Sequence, residues 1–210
     1  MHLTLIDTNP EVTDAWEKVF ADVPQVSVRL GSIFDCPADA LVSPANSFGY
    51  MNGGLDFAIS KNLGWHLEKD LQRLIREKHY GELLVGQAEI IPTGHPDFPY
   101  LIAAPTMRTP MTITRGPNVY LAMKAILTLL RYGTLAAGEP VRDVVKTLAV
   151  PGLGTGVGQV RPLVCARQMR LAWEDVMKEK FATEAGWEEM CANYAYFYTH
   201  NRPDIKYDIY

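Results

Sequence analysis

An α/β layered domain built on a largely parallel sheet is the fold class this sequence predicts. Three observations carry that expectation. Short apolar runs bounded by Pro and Gly alternate with stretches of helical apolar periodicity. Two of the runs lead through glycine-rich loops directly into such a stretch, as strands of a parallel sheet lead into their crossover helices. The 210 residues contain no internal repeat, low-complexity linker or composition shift, so a single domain is expected over residues 1–210.

The elements follow in chain order. Leu3 to Ile6 reads as a short strand. Pro10 to Phe20 predicts a helix, with Pro in its first turn and Val12, Trp16, Val19 and Phe20 on one side. Val26 to Leu30 alternates as a strand, and Gly31 to Phe34 turns the chain. Ala40 to Ser43 reads as a short buried strand, an apolar run ended by a hydroxyl. Leu55 to Leu63 predicts a helix ended by Gly64. His66 to His79 is a clearer one, with Leu67, Leu71, Leu74 and Ile75 as its stripe and Glu68, Lys69, Arg73, Arg76, Glu77 and Lys78 facing water. Ala88 to Ile91 is a strand expected to stop at Pro92 and Gly94. Tyr100 to Ala104 is another, closed by Pro105. Asn118 to Tyr132 is a helix, Gly138-Glu139-Pro140 a surface loop, Thr147 to Val150 a strand, and Pro162 to Phe181 a long helix. The last stretch holds Trp187, Tyr194, Tyr196, Phe197, Tyr198, Tyr207 and Tyr210, and no element is assigned to it.

Composition removes several function classes. A net charge of −4 with no long Lys/Arg cluster gives no footprint for direct nucleic-acid binding. Cys36, Cys165 and Cys191 are odd in number and far apart, which argues against a disulfide framework and against a zinc site. The first residues lack a basic region followed by an apolar core, and no apolar run approaches the ~20 residues of a membrane span. A cytoplasmic protein needing no cofactor is the expectation.

The chemistry lies in the two glycine loops. The first follows Asp39-Ala40-Leu41-Val42-Ser43-Pro44-Ala45-Asn46 and reads Asn52-Gly53-Gly54-Leu55-Asp56. The second, Pro151-Gly152-Leu153-Gly154-Thr155-Gly156-Val157-Gly158-Gln159, follows a strand and precedes a helix. It matches neither GxxxxGK[ST] nor GxGxxG. Glycines let backbone amides approach a ligand, and a helix start offers amides without intrahelical partners, so both loops favour an anion. In an α/β sheet both sit on one rim. Asp56 works against simple anion binding. A carboxylate ~6 Å from a phosphate charge costs about 3 kcal/mol at an effective dielectric of 20. Asp56 is therefore either a favourable first-turn acid or a chemical participant.

With these residues in view, the segment from Gly31 to Gly64 resembles the ADP-ribose-binding macrodomain family. That family carries a GDI-type turn, a DAIVNAAN-type strand and a GGG-V-D or GGG-V-A loop. The corresponding residues here are Gly31-Ser32-Ile33, Asp39 through Asn46, and Gly53-Gly54-Leu55-Asp56. Gly154-Thr155-Gly156-Val157 is similar to the family's STG-I/V loop, and the resemblance runs from about Leu3 to Phe181. Asn46 and Asp56 stand 10 positions apart, as in the MacroD-type hydrolases. The resemblance implies a three-layer α/β/α domain around a central mixed, largely parallel sheet. It implies ADP-ribose, or an ADP-ribosylated protein or small molecule, as the partner; nucleic acid enters only as an ADP-ribosylated substrate.

By the same resemblance, Ser32, Ile33, Ala45, Asn46, Gly53, Gly54, Leu55, Gly152, Leu153, Gly154, Thr155, Gly156, Val157 and Gly158 bind the ligand. Asp56 and Asn46 are the catalytic candidates for hydrolysis of an ADP-ribosyl linkage. A non-catalytic reader, or a sensor of another NAD-derived nucleotide, is the alternative. Several residues depart from the family. Ser43 stands where an Asn is usual, and Asn52 interrupts the glycine triplet. Gly158-Gln159-Val160 lacks the common loop aromatic. Ser32 replaces the acid that meets the adenine amino group, which leaves that contact to another group such as Asp35, or the base preference altered. Among other polar residues, Arg108 could reach a phosphate, and Tyr194, Tyr196 or Phe197 could stack on the base. His66, His79 and His95 read as ordinary surface or loop histidines.

Overall fold

Asn9 begins the helical part of the chain. Its side chain accepts from the Glu11 amide and Pro10 follows at the first helical position, so the turn before Val12 is capped at both levels. A computed structural model of the protein describes residues 1–180 and 186–187. In it β1 (His2–Asp7) leads into α1 (Pro10–Phe20) and β2 (Val26–Leu30). A 3-10 turn (Ile33–Asp35) precedes β3 (Ala40–Ser43). The helices α2 (Gly54–Leu63) and α3 (His66–His79) follow, then β4 (Glu89–His95) and β5 (Phe98–Ala103). Next come α4 (Asn118–Tyr132), α5 (Val141–Val144), β6 (Thr147–Val150) and α6 (Pro162–Met177). Cys191 and the aromatics from Tyr194 to Tyr210 lie outside the described residues, as does the expected last helical residue, Phe181.

The six strands form one sheet in the order β2-β1-β6-β3-β5-β4. Every neighbouring pair is parallel except β4 with β5. Side-chain alternation sorts the strand residues onto two faces. Leu3, Leu5, Val42, Leu148 and Val150 pack with α1, α4, α5 and α6. Ile6, Leu41, Leu101 and Ala149 pack with α2 and α3 on the other side. The result is the expected three-layer α/β/α arrangement around a mixed, mostly parallel sheet. β3 is buried along its whole length, which explains its unbroken apolar run.

Several boundaries shift by one or two residues, and three elements depart further from expectation. β4 does not stop at Pro92 and Gly94 but runs on to His95. Among the described residues it is the sheet's edge, paired only with β5 and irregular between Pro92 and His95, so a residue without an N–H costs no ladder bond there. The four residues of α5 are too few to show a period. α6 ends at Met177 rather than in the expected place beyond it. No described helix is long and apolar enough to cross a membrane.

The carboxylate that opens the β3 motif serves the sheet rather than the ligand. Asp39 Oδ2 accepts from the Lys146 amide, the Thr147 amide and the Thr147 hydroxyl, at 2.8, 2.8 and 2.9 Å. Partial burial pushes the Asp39 carboxyl up, but these donors outweigh it and hold it below its ordinary value. The acid thereby pins the start of β6 beside the start of β3, at the end of the sheet away from the glycine loops.

Candidate functional site

The carboxyl ends of β1, β3 and β6 lie side by side because all three strands are parallel neighbours. A cleft of about 580 Å³ opens over them. Ser32 and Ile33 line one end of it, with Gly31 and Phe34. Ala45, Asn46, Gly53, Gly54, Leu55 and Asp56 form one wall, and Gly152, Gly154, Thr155, Gly156, Val157 and Gly158 the other. Leu153 is the exception. It is fully buried in the core, where its carbonyl accepts from the Cys165 thiol at 3.3 Å. The loop sets its glycines toward the cleft and drops Leu153 between them into the apolar layer below, while Val157 stays exposed at the rim.

The first wall is a helix start without a side-chain cap. Gly53 caps α2 by backbone only, and the first intrahelical bond runs from the Phe57 amide to the Gly53 carbonyl. The Gly54, Leu55 and Asp56 amides thus have no helical partner, and they sit at the positive end of the helix dipole. A Cβ at Gly53 or Gly54 would meet no atom within 4 Å.

The second wall is internally fixed. The Gln159 amide donates to Gly156, the Val160 amide to Gly154, and the Thr155 hydroxyl to the Gly152 carbonyl. Gly154 has φ +70°, and a Cβ there would lie 3.0 Å from Ile113. A Cβ on Gly158 would lie 2.5 Å from the Gly154 carbonyl oxygen. Among the described residues, the Gly156, Val157 and Gly158 amides donate to no protein acceptor. Together the walls make an N–H-lined concavity suited to phosphate oxygens.

The electrostatics are unusual for an anion site. No Lys, Arg or His lines the cleft among the described residues, whereas Asp7 and Asp56 do. Asp7, the last residue of β1, is a lone acid at a strand end and carries no motif in the sequence. Its Oδ1 accepts from the Asn9 amide at 2.9 Å and its Oδ2 from the Gly152 amide at 3.0 Å. It therefore ties β1 to the second loop and takes up the Gly152 amide, one of the groups the resemblance assigns to a ligand. Asp56 receives the Ser43 hydroxyl on Oδ1 at 2.5 Å. Desolvation raises its carboxyl to about 6, with the Ser43 hydrogen bond opposing the rise.

Asn46 is largely engaged in folding its own loop. Its Oδ1 accepts from the Phe48 and Tyr50 amides, and its Nδ2 donates to the Tyr50 carbonyl at 2.8 Å. One of its two N–H bonds remains for a ligand. Tyr50, 55% exposed, stands on the cleft's edge. Asp35 closes a capping box with Ser32 and does not line the cleft. Arg108 lies outside it, paired bidentately with Glu82 at 2.7 and 3.2 Å and stacked over Phe48. His95 sits on β4 with its ring accepting from the Asp97 amide. His66 meets the Thr93 carbonyl, while His79 is half-buried against Glu89 at 2.8 Å rather than free on the surface.

Comparison with known proteins places this geometry in context. Residues 42–169 match the family model of the Macro domain. An uncharacterized protein of Aquifex aeolicus is 36% identical over 144 residues, covering 69% of this chain and 78% of its own. One of Aeropyrum pernix is 32% identical over 147 residues, 70% of this chain and 69% of its own. Among solved structures, the Mycobacterium tuberculosis DarG macrodomain superposes with a TM-score of 0.54 at 18% identity, over 70% of this chain and 88% of its own. The Oceanobacillus iheyensis macrodomain with ADP gives 0.54 at 19%, over 80% and 84%. Thermosipho africanus DarTG in complex with ADP-ribose gives 0.55 at 15%, over 84% and 50%. At such identities the structures speak to the fold alone.

Proposed function

Because this chain belongs to the Macro domain family, we propose that its cleft binds ADP-ribose and hydrolyses ADP-ribosyl linkages on a protein side chain or a small ester. The diphosphate lies between the uncapped start of α2 and the Gly156–Gly158 amides, and the distal ribose lies beside Asp56. The observation that carries the catalytic part is a carboxyl lifted to about 6 at the first turn of that helix. A group with that proton affinity is ionised at neutral pH and still basic enough to take a proton. Asp56 removes a proton from water, and the water oxygen bonds to the anomeric carbon. The bond from that carbon to the ester oxygen breaks, and the carboxylate leaves with the electron pair. Asp56 then releases its proton to solvent.

Incubation with a protein ADP-ribosylated on acidic side chains tests this, with free ADP-ribose as the readout. The parent releases ADP-ribose, and Asp56→Ala lowers the rate by about 10²–10⁴-fold. ADP-ribose binding, followed by calorimetry, persists in the variant. Equal activity of the two proteins removes Asp56 from the reaction. One observation favours a reader without turnover: Asn46 has a single N–H left over from its loop. Binding with no product from the parent selects that reading.

A further inference from the structure

The residue under Asp56 departs from the family's pattern, and its contact is specific. Ser43 is the last residue of β3 and is fully buried. Its backbone carbonyl accepts from the Ala104 amide, so the side chain has a fixed origin. Its one hydroxyl proton goes to Asp56 Oδ1 at 2.5 Å. Oδ2 of Asp56 receives no donor among the described residues, and the residue lines the cleft.

Resting on the function proposed above, we infer that Ser43 is the positioning residue of this site. Its hydroxyl clamps one oxygen of Asp56 and thereby presents the other oxygen to the cleft as the one that accepts a proton. The clamp has two consequences. It holds the carboxylate in one orientation at a helix start that has no side-chain cap of its own. It also favours the ionised form in a place where burial favours the protonated one. Other charged or titratable groups around Asp56 come from separate elements. Asp7 of β1 and Tyr50 of the β3–α2 loop line the same cleft. Lys61 lies farther along α2, and Glu68 of α3 is engaged by the Met51 amide. Changing Ser43 leaves all of them in place.

The experiment compares the parent with S43A and S43T in two readouts. One is the pH dependence of kcat/KM for release of ADP-ribose from the acid-linked substrate. The other is the carbon-13 NMR titration of the Asp56 carboxyl in the ligand-free protein. A hydrogen bond to a charged group is strong enough that S43A moves the acidic limb and the titration upward by about 1 pH unit. The rate deficit of S43A, about fivefold at pH 6, narrows as pH rises, KM holds steady, and S43T restores the limb. A merely structural role lowers the rate alike at every pH. That outcome, or an unmoved limb and titration in S43A, overturns the inference. A parent without turnover overturns the proposed hydrolysis instead. The carboxyl titration then still decides the clamp: moved, it supports the clamp, and unmoved, it removes it.

Discussion

Asp56 is held in its place at a cost in stability. Its folded-state carboxyl lies at about 6, above the ordinary carboxylate value, so folding costs nothing extra below about pH 4, where the group is protonated in both states. As pH rises through about 6 the folded chain must hold a desolvated charge, and stability is lost. Asp56→Asn is therefore more stable than the parent at pH 7.5, by up to about 3 kcal/mol in denaturant titrations, and the gain vanishes at pH 4. The glycines divide in the same spirit. Gly154 has φ +70° and is hemmed in by Ile113, Val119 and Val160, so Gly154→Ala costs about 1–3 kcal/mol in thermal unfolding. Gly156 lines the cleft with nothing within 4 Å of a would-be Cβ. Gly156→Val leaves the melting temperature nearly unchanged while weakening ADP-ribose binding at least ~10-fold in calorimetry. At this scale the sequence was readable wherever a residue type carries its own geometry, as the glycines do. It was not readable at Leu153, which a run of glycines disguised as one more loop residue, or at Asp7, whose partners come from Asn9 and Gly152, a hundred and more residues apart.

Elements obeyed local chemistry where a period or a punctuating residue was present. α3 and α4 fall where their stripes and flanking Gly and Pro put them, and β3 and β6 are bounded by Pro44 and Pro151. β4 shows the opposite case: Pro92 reads as a stop in sequence, yet tertiary placement at an edge removes its penalty. The Asp39 clamp is an element-scale device that looked like part of a ligand motif. Its carboxyl is held below its ordinary value, so its contribution is present above about pH 4 and lost as pH falls through the lower folded value. Asp39→Ala lowers stability by about 1 kcal/mol at pH 7, allowing for solvent screening, and the difference from the parent closes in acid. Chemical denaturation at pH 7 and pH 3 measures both, and ADP-ribose binding is unaffected because the clamp lies at the far end of β3 and β6.

For the whole molecule, the defining property is a cleft lined, among the described residues, by no cationic side chain. The net charge of −4 adds repulsion from a distance, and Asp7 and Asp56 add it close by. Attraction comes from amide dipoles at contact range, which mobile ions screen little, so the dissociation constant for ADP-ribose changes less than about threefold between 50 and 500 mM NaCl. Calorimetry across that range checks it, and a steep weakening with salt would expose a basic contact from elsewhere. The layered fold and its rim were legible because parallel strands force glycine loops to one edge. The polarity of the cleft was not, since it depends on which side chains the fold leaves out.

Asp7 holds the Asn9 and Gly152 amides with its two oxygens. One begins the loop into α1 and the other begins the second wall of the cleft. Loss of that carboxylate would unfasten the glycine turn and the N-cap residue of α1 together. The seating of the amino-terminal helix and the shape of the cleft's second wall therefore share a single side chain.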